Sequence, residues 1–227
     1  MNNFIEDLKK EGIILTDEMK KNFDSFFSLL IETNKTTNLT RITDEDSVYY
    51  LHFYDSLMVM KAINFTKPDI KLLDVGSGPG FPALPLKIVN ENMNISIVEA
   101  TNKKVEFIKS VISALNLKNI DVNHRRAEDY DKFNTFDYVT TRAVSTINEQ
   151  LPYTIPFLKI GGSLIAMKGQ SKVDLEIEEA KPLLNKIGAS IKKRIKYQVL
   201  DRSYELVIIE KTKSTPKGYP KRLHNTK

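Results

Sequence analysis

Three glycines alternate within Asp74-Val75-Gly76-Ser77-Gly78-Pro79-Gly80, between the apolar run Lys71-Leu72-Leu73 and a helix-compatible segment that begins near Phe81. That order, strand then glycine loop then helix, is what a nucleotide-type cofactor site requires. Residues without a Cβ let the backbone turn tightly and approach a ligand closely. Asp74, two residues before the first glycine, argues against a dinucleotide, because a pyrophosphate seeks a helix N-terminus and no nearby carboxylate. S-adenosylmethionine carries an ammonium, a sulfonium and no phosphate, so an acid beside its amino-acid end is favourable. Glu99 closes the next apolar run, Ile95-Ser96-Ile97-Val98. It stands about 20 residues beyond the loop, where a carboxylate accepts hydrogen bonds from both ribose hydroxyls. Gly76, Ser77, Gly78 and Glu99 are therefore candidate cofactor residues.

The chain has 227 residues, enough for one full core. It has no apolar run long enough for a membrane span and no secretory signal pattern. It also has no cysteine. That excludes disulfides, thiolate metal sites and cysteine nucleophiles, and with the last it excludes the usual route to methylation at a pyrimidine C5. A reducing, cytoplasmic compartment is the expectation. No His/Asp/Glu cluster has metal-ligand spacing, so no metal is expected. The net charge is +5, and the six basic residues of 211–227 account for the whole excess. A second basic run, Lys192-Lys193-Arg194-Ile195-Lys196, lies upstream. Such segments either bind nucleic acid by neutralising phosphates or are simply solvated. Beside a methyltransferase-like loop, a nucleic-acid substrate is the better reading.

Phe4, Ile5 and Leu8 share a helical face that Gly12 can end. Thr16 suits an N-cap, and Met19, Phe23, Phe26, Phe27, Leu30 and Ile31 follow at steps of three and four. A further helical stretch is expected over 46–63, so residues 1–66 read as a helical cap. From Lys71 strands are expected at 71–75, 95–99, 120–124, 136–141 and 163–168, with helices at 81–90, 103–115 and 147–158. This alternation predicts a doubly wound α/β sheet, Rossmann-like and parallel. A helix is expected over 173–187, kinked or split at Pro182. Two strands, 191–200 and 204–211, are joined by three residues and must be antiparallel, since a parallel crossover needs a dozen or more. A C-terminal antiparallel hairpin on a parallel sheet marks the S-adenosylmethionine-dependent methyltransferase variant of the fold. The catalytic domain is thus expected over 67–211 and a basic tail over 212–227, in one compact unit.

Ligands of such sheets bind beyond the carboxyl ends of the strands. After the third strand, Ala127 and Glu128 are best placed to meet an adenine. After the fourth, Thr141-Arg142-Ala143 stands where enzymes that methylate exocyclic amines carry an Asx-Pro-Pro-aromatic turn. Arg142 suits a phosphate or a guanine O6 edge, or a structural pair with a loop carboxylate. His52, Asp55 and Ser56 suggest a hydrolase triad, but they sit within one expected helix without a nucleophile-elbow turn, so that reading fails.

Taken together, these segments resemble the RsmG (GidB) methyltransferases of bacteria. The resemblance runs nearly end to end. It is carried by Asn38-Leu39-Thr40, His52-Phe53-Tyr54-Asp55-Ser56-Leu57, Asp74 to Pro82, Arg126-Ala127-Glu128, Thr141-Arg142-Ala143, Lys168-Gly169 and Tyr219-Pro220-Lys221-Arg222. It implies S-adenosylmethionine-dependent methylation of a guanine N7 in 16S rRNA, free or in an assembling 30S subunit, by a protein expected to be a monomer. It also implies cofactor contacts at Gly76, Phe81, Ala127, Glu128 and Arg142. Arg142, Lys168, Lys217, Lys221 and Arg222 are the candidate RNA contacts. Guanine N7 already bears a lone pair, so no catalytic proton-transfer residue is nominated. The competing readings are a catalytically silent RNA-binding module on the same fold, and a methyltransferase for a small molecule or protein.

Overall fold

The computed structural model describes residues 2–220. Seven strands, β1 (Lys71–Val75), β2 (Asn94–Glu99), β3 (Ile120–His124), β4 (Phe136–Arg142), β5 (Leu158–Gly169), β6 (Ala189–Val199) and β7 (Arg202–Lys211), form one sheet. Their order is β3-β2-β1-β4-β5-β7-β6. The five strands from β3 to β5 are parallel, and β7 lies antiparallel between β5 and β6. The terminal strands are thus a hairpin, as expected, and its second strand is the one inserted against the parallel sheet.

Alternation along the strands divides the core into two layers. Leu72, Ile95, Ile97, Ile165, Leu206 and Ile208 belong to one apolar cluster. Leu73, Val98, Val139, Leu164, Val207 and Ile209 belong to the other. The first layer is covered by α1 (Asn2–Lys10), α2 (Asp17–Thr37) and the helical stretch that starts with α3 (Glu45–Val48) and α4 (Asp55–Leu57), together with α5 (Ala83–Val89) and α6 (Asn102–Ala114). The second is covered by α7 (Ile147–Gln150) and α8 (Val173–Ile187). Thr16 caps α2 by accepting from the Met19 amide. The apolar stripe of α2 is buried through Phe23, Phe26 and Leu30. Phe26 joins the cap to the body, with its ring centroid 5.2 Å from Phe53 and 5.4 Å from Phe81.

Several elements depart from the expected bounds. The stretch expected as one helix over 46–63 contains a π-helical segment, Tyr49–Tyr54, and ends in a 3-10 turn, Met58–Ala62. The helix expected over 147–158 is one turn of α7 followed by two 3-10 turns, because Pro152 and Pro156 each lack the N–H a continuing helix needs. The opposite holds at Pro182, which α8 passes through unbroken. Pro182 faces solvent, and the Glu178 carbonyl it leaves without a partner lies on the exposed side, where water can satisfy it. Strand β5 begins at Leu158 because residues 159–162 bulge out between two paired positions, Phe136↔Leu158 and Tyr138↔Ser163. A Cβ on Gly162 would come within 2.9 Å of the Asp137 carbonyl, so the bulge requires glycine there.

The basic tail also starts later than its composition suggests. Lys211 is fully buried at the end of β7, where its Nζ donates to Asn134 Oδ1 at 2.8 Å and to the Leu158 carbonyl at 2.9 Å. Burial lowers its pKa to about 8. Beyond it, the Thr212 and Lys213 amides donate to the Gly188 carbonyl, and Tyr219 packs against the second core layer. Lys217 is exposed. Lys221 and Arg222 lie outside the described residues. Among the described residues no helix is long and apolar enough to cross a membrane, and no three metal-ligating side chains converge.

Phe26 sets the contact between cap and glycine loop, so Phe26→Ala is expected to cost about 3–5 kcal/mol of stability. Denaturant titration checks the loss. Because Phe81 rests on that ring, cofactor affinity measured by calorimetry should fall as well.

Candidate active site

The register levels the carboxyl ends of the strands: Val75 pairs with Val98 and Thr141, and Arg142 pairs with Met167. Asp74, Glu99, Arg142 and Lys168, distant in sequence, therefore lie along one edge of the sheet. The glycine loop leaves β1 there and enters α5. The Gly76 amide donates to the Val98 carbonyl, and the Gly80 and Phe81 amides donate to the Ser77 carbonyl. Gly76, Gly78 and Gly80 all have positive φ. They differ in what surrounds them. A Cβ on Gly76 would lie 2.9 Å from Val144 Cγ2 and one on Gly80 2.3 Å from Leu84 Cδ1, whereas one on Gly78 would project into open space. Gly78 marks the face of the loop that a ligand can approach.

The two acids differ in what surrounds them. Asp74 is completely enclosed, and it accepts from Ser77 Oγ at 2.5 Å and Thr140 Oγ1 at 2.8 Å. It holds the loop to β4 and offers no free oxygen surface to a cation. Burial raises its pKa to about 7 against these hydroxyl donors, which pull it down. The Ser77 hydroxyl uses its proton in the same contact, and the side chain is buried. Glu99 stands at the mouth of the loop. Its Oε2 accepts from the Gly78 amide at 2.9 Å and its Oε1 from the Thr101 amide at 2.8 Å. Its carboxylate is thus oriented beside the open face of Gly78. Ala127 is buried in the second core layer at the start of the turn Ala127–Asp129, and Glu128 is half-buried beside it.

Arg142 is turned away from solvent into the helical cap, where it makes a structural pair with a carboxylate, one of the alternatives considered above, although that acid belongs to a helix and not to a loop. Its Nη1 donates to Asp55 Oδ2 at 2.9 Å and to the Leu51 carbonyl at 3.1 Å. Its Nη2 lies 3.0 Å from His52 Nδ1. Because a guanidinium only donates, Nδ1 is the acceptor, and the ring proton sits on Nε2, which donates to Thr40 Oγ1 at 2.9 Å. Burial and then the Arg142 charge lower the His52 pKa to about 3, so the imidazole stays neutral. The π-turn explains the Leu51 contact. The Asp55 amide bonds to the Tyr50 and His52 carbonyls, which releases the Leu51 carbonyl to Arg142. Asp55 also accepts from the Tyr197 hydroxyl at 2.7 Å, and burial raises the Tyr197 pKa. Ser56 Oγ donates to the His52 carbonyl and not to its ring, so no triad forms. Phe81 lies under this network, with His52 stacked 4.5 Å away and the Arg142 guanidinium 5.0 Å from its centroid. Its ring is 1% exposed, so it supports the loop from behind and does not line the cradle.

Beside the network a cavity of about 310 Å³ opens over the ends of β4 and β5, lined by Asp55, Arg142, Met167, Lys168, Tyr197 and Tyr204. Lys168 is paired with Glu176 at 2.7 Å and donates to the Ser145 carbonyl, which holds it at the cavity wall and not free on the surface. Sequence reasoning passed over Thr140, Val144, Tyr197 and the joint role of Thr40, His52 and Asp55. Thr40, His52 and Asp55 sit in segments that carried the family resemblance. Tyr197 had no signal, because nothing local links it to Asp55.

Comparison with known proteins bears on the family and the fold. A family model described as "GidB: rRNA small subunit methyltransferase G" matches residues 19–202. A protein of Streptococcus pyogenes serotype M2 named "Ribosomal RNA small subunit methyltransferase G" is 40% identical over 225 residues, 97% of this chain and 94% of the relative. Its counterpart in serotype M1 is equally similar, with the same coverage. Among solved structures, a SAM-dependent methyltransferase from Aquifex aeolicus superposes with a TM-score of 0.53 at 18% identity, covering 74% of this chain and 94% of that one. M. jannaschii TYW2 in complex with AdoMet gives 0.56 at 16% identity, over 69% and 76%. These two share the fold.

Two consequences are testable. Asp55→Ala leaves the Arg142 charge buried without its carboxylate and should cost about 3–5 kcal/mol in denaturant titration. Asp74 has a folded pKa above its unfolded value, so its contribution is fullest below the usual carboxylate range and is lost as pH rises through about 7. The stability of wild type relative to Asp74→Asn should accordingly fall between about pH 4 and pH 7 and level off above that, by on the order of 4 kcal/mol.

Proposed function

The chain belongs to the rRNA small subunit methyltransferase G family, and we propose that it methylates N7 of one guanine in 16S rRNA, with S-adenosylmethionine as donor. The observation that carries the chemical part of this reading is the state of the titratable groups around the strand ends. His52 is neutral with both ring nitrogens engaged, Asp55 is held by Arg142 and Tyr197, and Asp74 is enclosed. None of these three is placed to take a proton from a substrate. Guanine N7 needs no such group, because its lone pair lies in the plane of the base and is already nucleophilic. An exocyclic amine would need one, or a turn of acceptors to hold it.

The residues fit the cofactor through the open face at Gly78 and the oriented Glu99 carboxylate beside it. S-adenosylmethionine, when bound, supplies a methyl group made electrophilic by its sulfonium. Gly76 and Gly78 would admit its amino-acid end, Glu99 would accept from the ribose hydroxyls, and Ala127 with Glu128 would border the adenine. The buried network behind Phe81 keeps the loop in one shape. The cavity over β4 and β5 then has room for a base aligned for in-line attack at about 3 Å, so that proximity and orientation supply much of the acceleration. A catalytically silent module is disfavoured by the intact loop. A small-molecule or protein substrate is disfavoured by family membership along nearly the whole chain.

Mass-spectrometric mapping of 16S rRNA from cells with and without this protein tests the reading. One 7-methylguanosine should disappear with the protein, and an unchanged nucleoside map would refute the assignment. Gly78→Ala adds a methyl only where space is open, at a strain cost of about 1–2 kcal/mol for a left-handed residue. It should fold, bind S-adenosylmethionine more than about ten-fold weaker, and fail to restore the modification.

A further inference from the structure

A second cavity, of about 470 Å³, lies at the other end of the sheet. Its floor is Tyr138, Ser163 and Ile208, near the amino ends of β4 and β5. Tyr138 and Arg142 are four residues apart along β4, which separates this cavity from the candidate active site by about 13 Å. Its walls come from two segments far apart in the chain, the end of the cap and edge strand β6. The cap contributes Lys61 and Lys67, and the edge strand contributes Lys192 and Lys193.

The charges there are only partly compensated. Lys61 is paired with Glu11 at 2.5 Å, and Lys192 with Glu210. Asp137, the acid in the lining, is engaged by Lys159 at 2.9 Å and by the Lys71 amide at 3.0 Å. Lys67 and Lys193 are exposed and lie within ion-pair distance of no acid among the described residues, although Lys67 is near enough to Asp137 to help lower its pKa. Phe65, in the same turn as Lys67, leaves 39% of its surface in solvent. An exposed aromatic ring in the same turn as a lysine at the cavity rim suits nucleic acid, since lysines neutralise phosphates and a ring accepts the face of any base. An acidic protein partner would use the lysines and leave Phe65 without a role.

We propose that this cavity is a second RNA-binding surface, in which Lys67 and Lys193 bind the phosphodiester backbone of the same rRNA at a distance from the methylated base. The inference rests on the rRNA substrate proposed above and adds a surface to it. The rRNA would then present one base to the cavity over β4 and β5 and extend past the flank of the sheet, where β6 is the edge strand. Lysines there would hold the RNA in register without touching the reacting atoms.

The test compares wild type with Lys67→Glu/Lys193→Glu for binding to an unmodified 16S rRNA transcript over a range of salt. A control variant with the same charge change, Lys118→Glu/Lys186→Glu, alters exposed lysines elsewhere. The cavity variant should bind about ten-fold weaker or worse at low salt. Its slope of log K against log salt should be shallower by roughly 0.7–0.9 for each phosphate that is no longer neutralised. S-adenosylmethionine affinity, melting temperature and the transfer rate at saturating RNA should match wild type, and the control should bind RNA as wild type does. An unchanged salt slope in the cavity variant, or an equal weakening in the control, overturns the proposal while leaving wild-type methyl transfer intact. A wild-type protein that neither binds nor methylates the transcript overturns this proposal together with the function it rests on.

Discussion

The ion pair between Arg142 and Asp55 joins the parts of this molecule that the site needs. Arg142 ends a central strand, Asp55 belongs to the helical cap, Tyr197 comes from the edge strand, and Phe81 follows the glycine loop. A buried pair is rarely a large net source of stability, because taking two charges out of water offsets most of their attraction. What it supplies is an arrangement with few alternatives. Once Arg142 is buried, its donors must find acceptors, and those present are Asp55, the Leu51 carbonyl and a neutral His52. The π-turn over Tyr49–Tyr54 fits this requirement, since a regular α-helix would have used the Leu51 carbonyl within its own backbone.

The same network sets the character of the site. Burial, with the nearby arginine, keeps His52 neutral, and the stack of His52 on Phe81 links the cap to the loop. Asp74 secures the loop from the other side through Thr140. The glycine cradle is therefore braced before any ligand arrives, and the chain need not order it at the moment of binding.

Much of this was legible in the chain itself. Strand, glycine loop and helix were readable because glycine spacing and apolar runs are local signals, and the three-residue connection after β6 forced an antiparallel pair. That Glu99 closes a strand was readable from the apolar run before it. The errors came where a side chain's role depends on distant partners. Lys211 counted as tail charge by composition, yet it is buried against carbonyls from the segment before β5. Pro182 signalled a break, yet its helix continues because the orphaned carbonyl faces water.

The amino-acid sequence alone determined the fold class and the glycine loop, since each follows from residues adjacent or periodic in the chain, while the kind of chemistry came with the resemblance to a family. Only the tertiary structure decided that Arg142 braces the cap, that Asp74 is enclosed and that Lys168 is paired. A charged group's role is set by what surrounds it at a few ångströms, and those neighbours lie dozens of residues away.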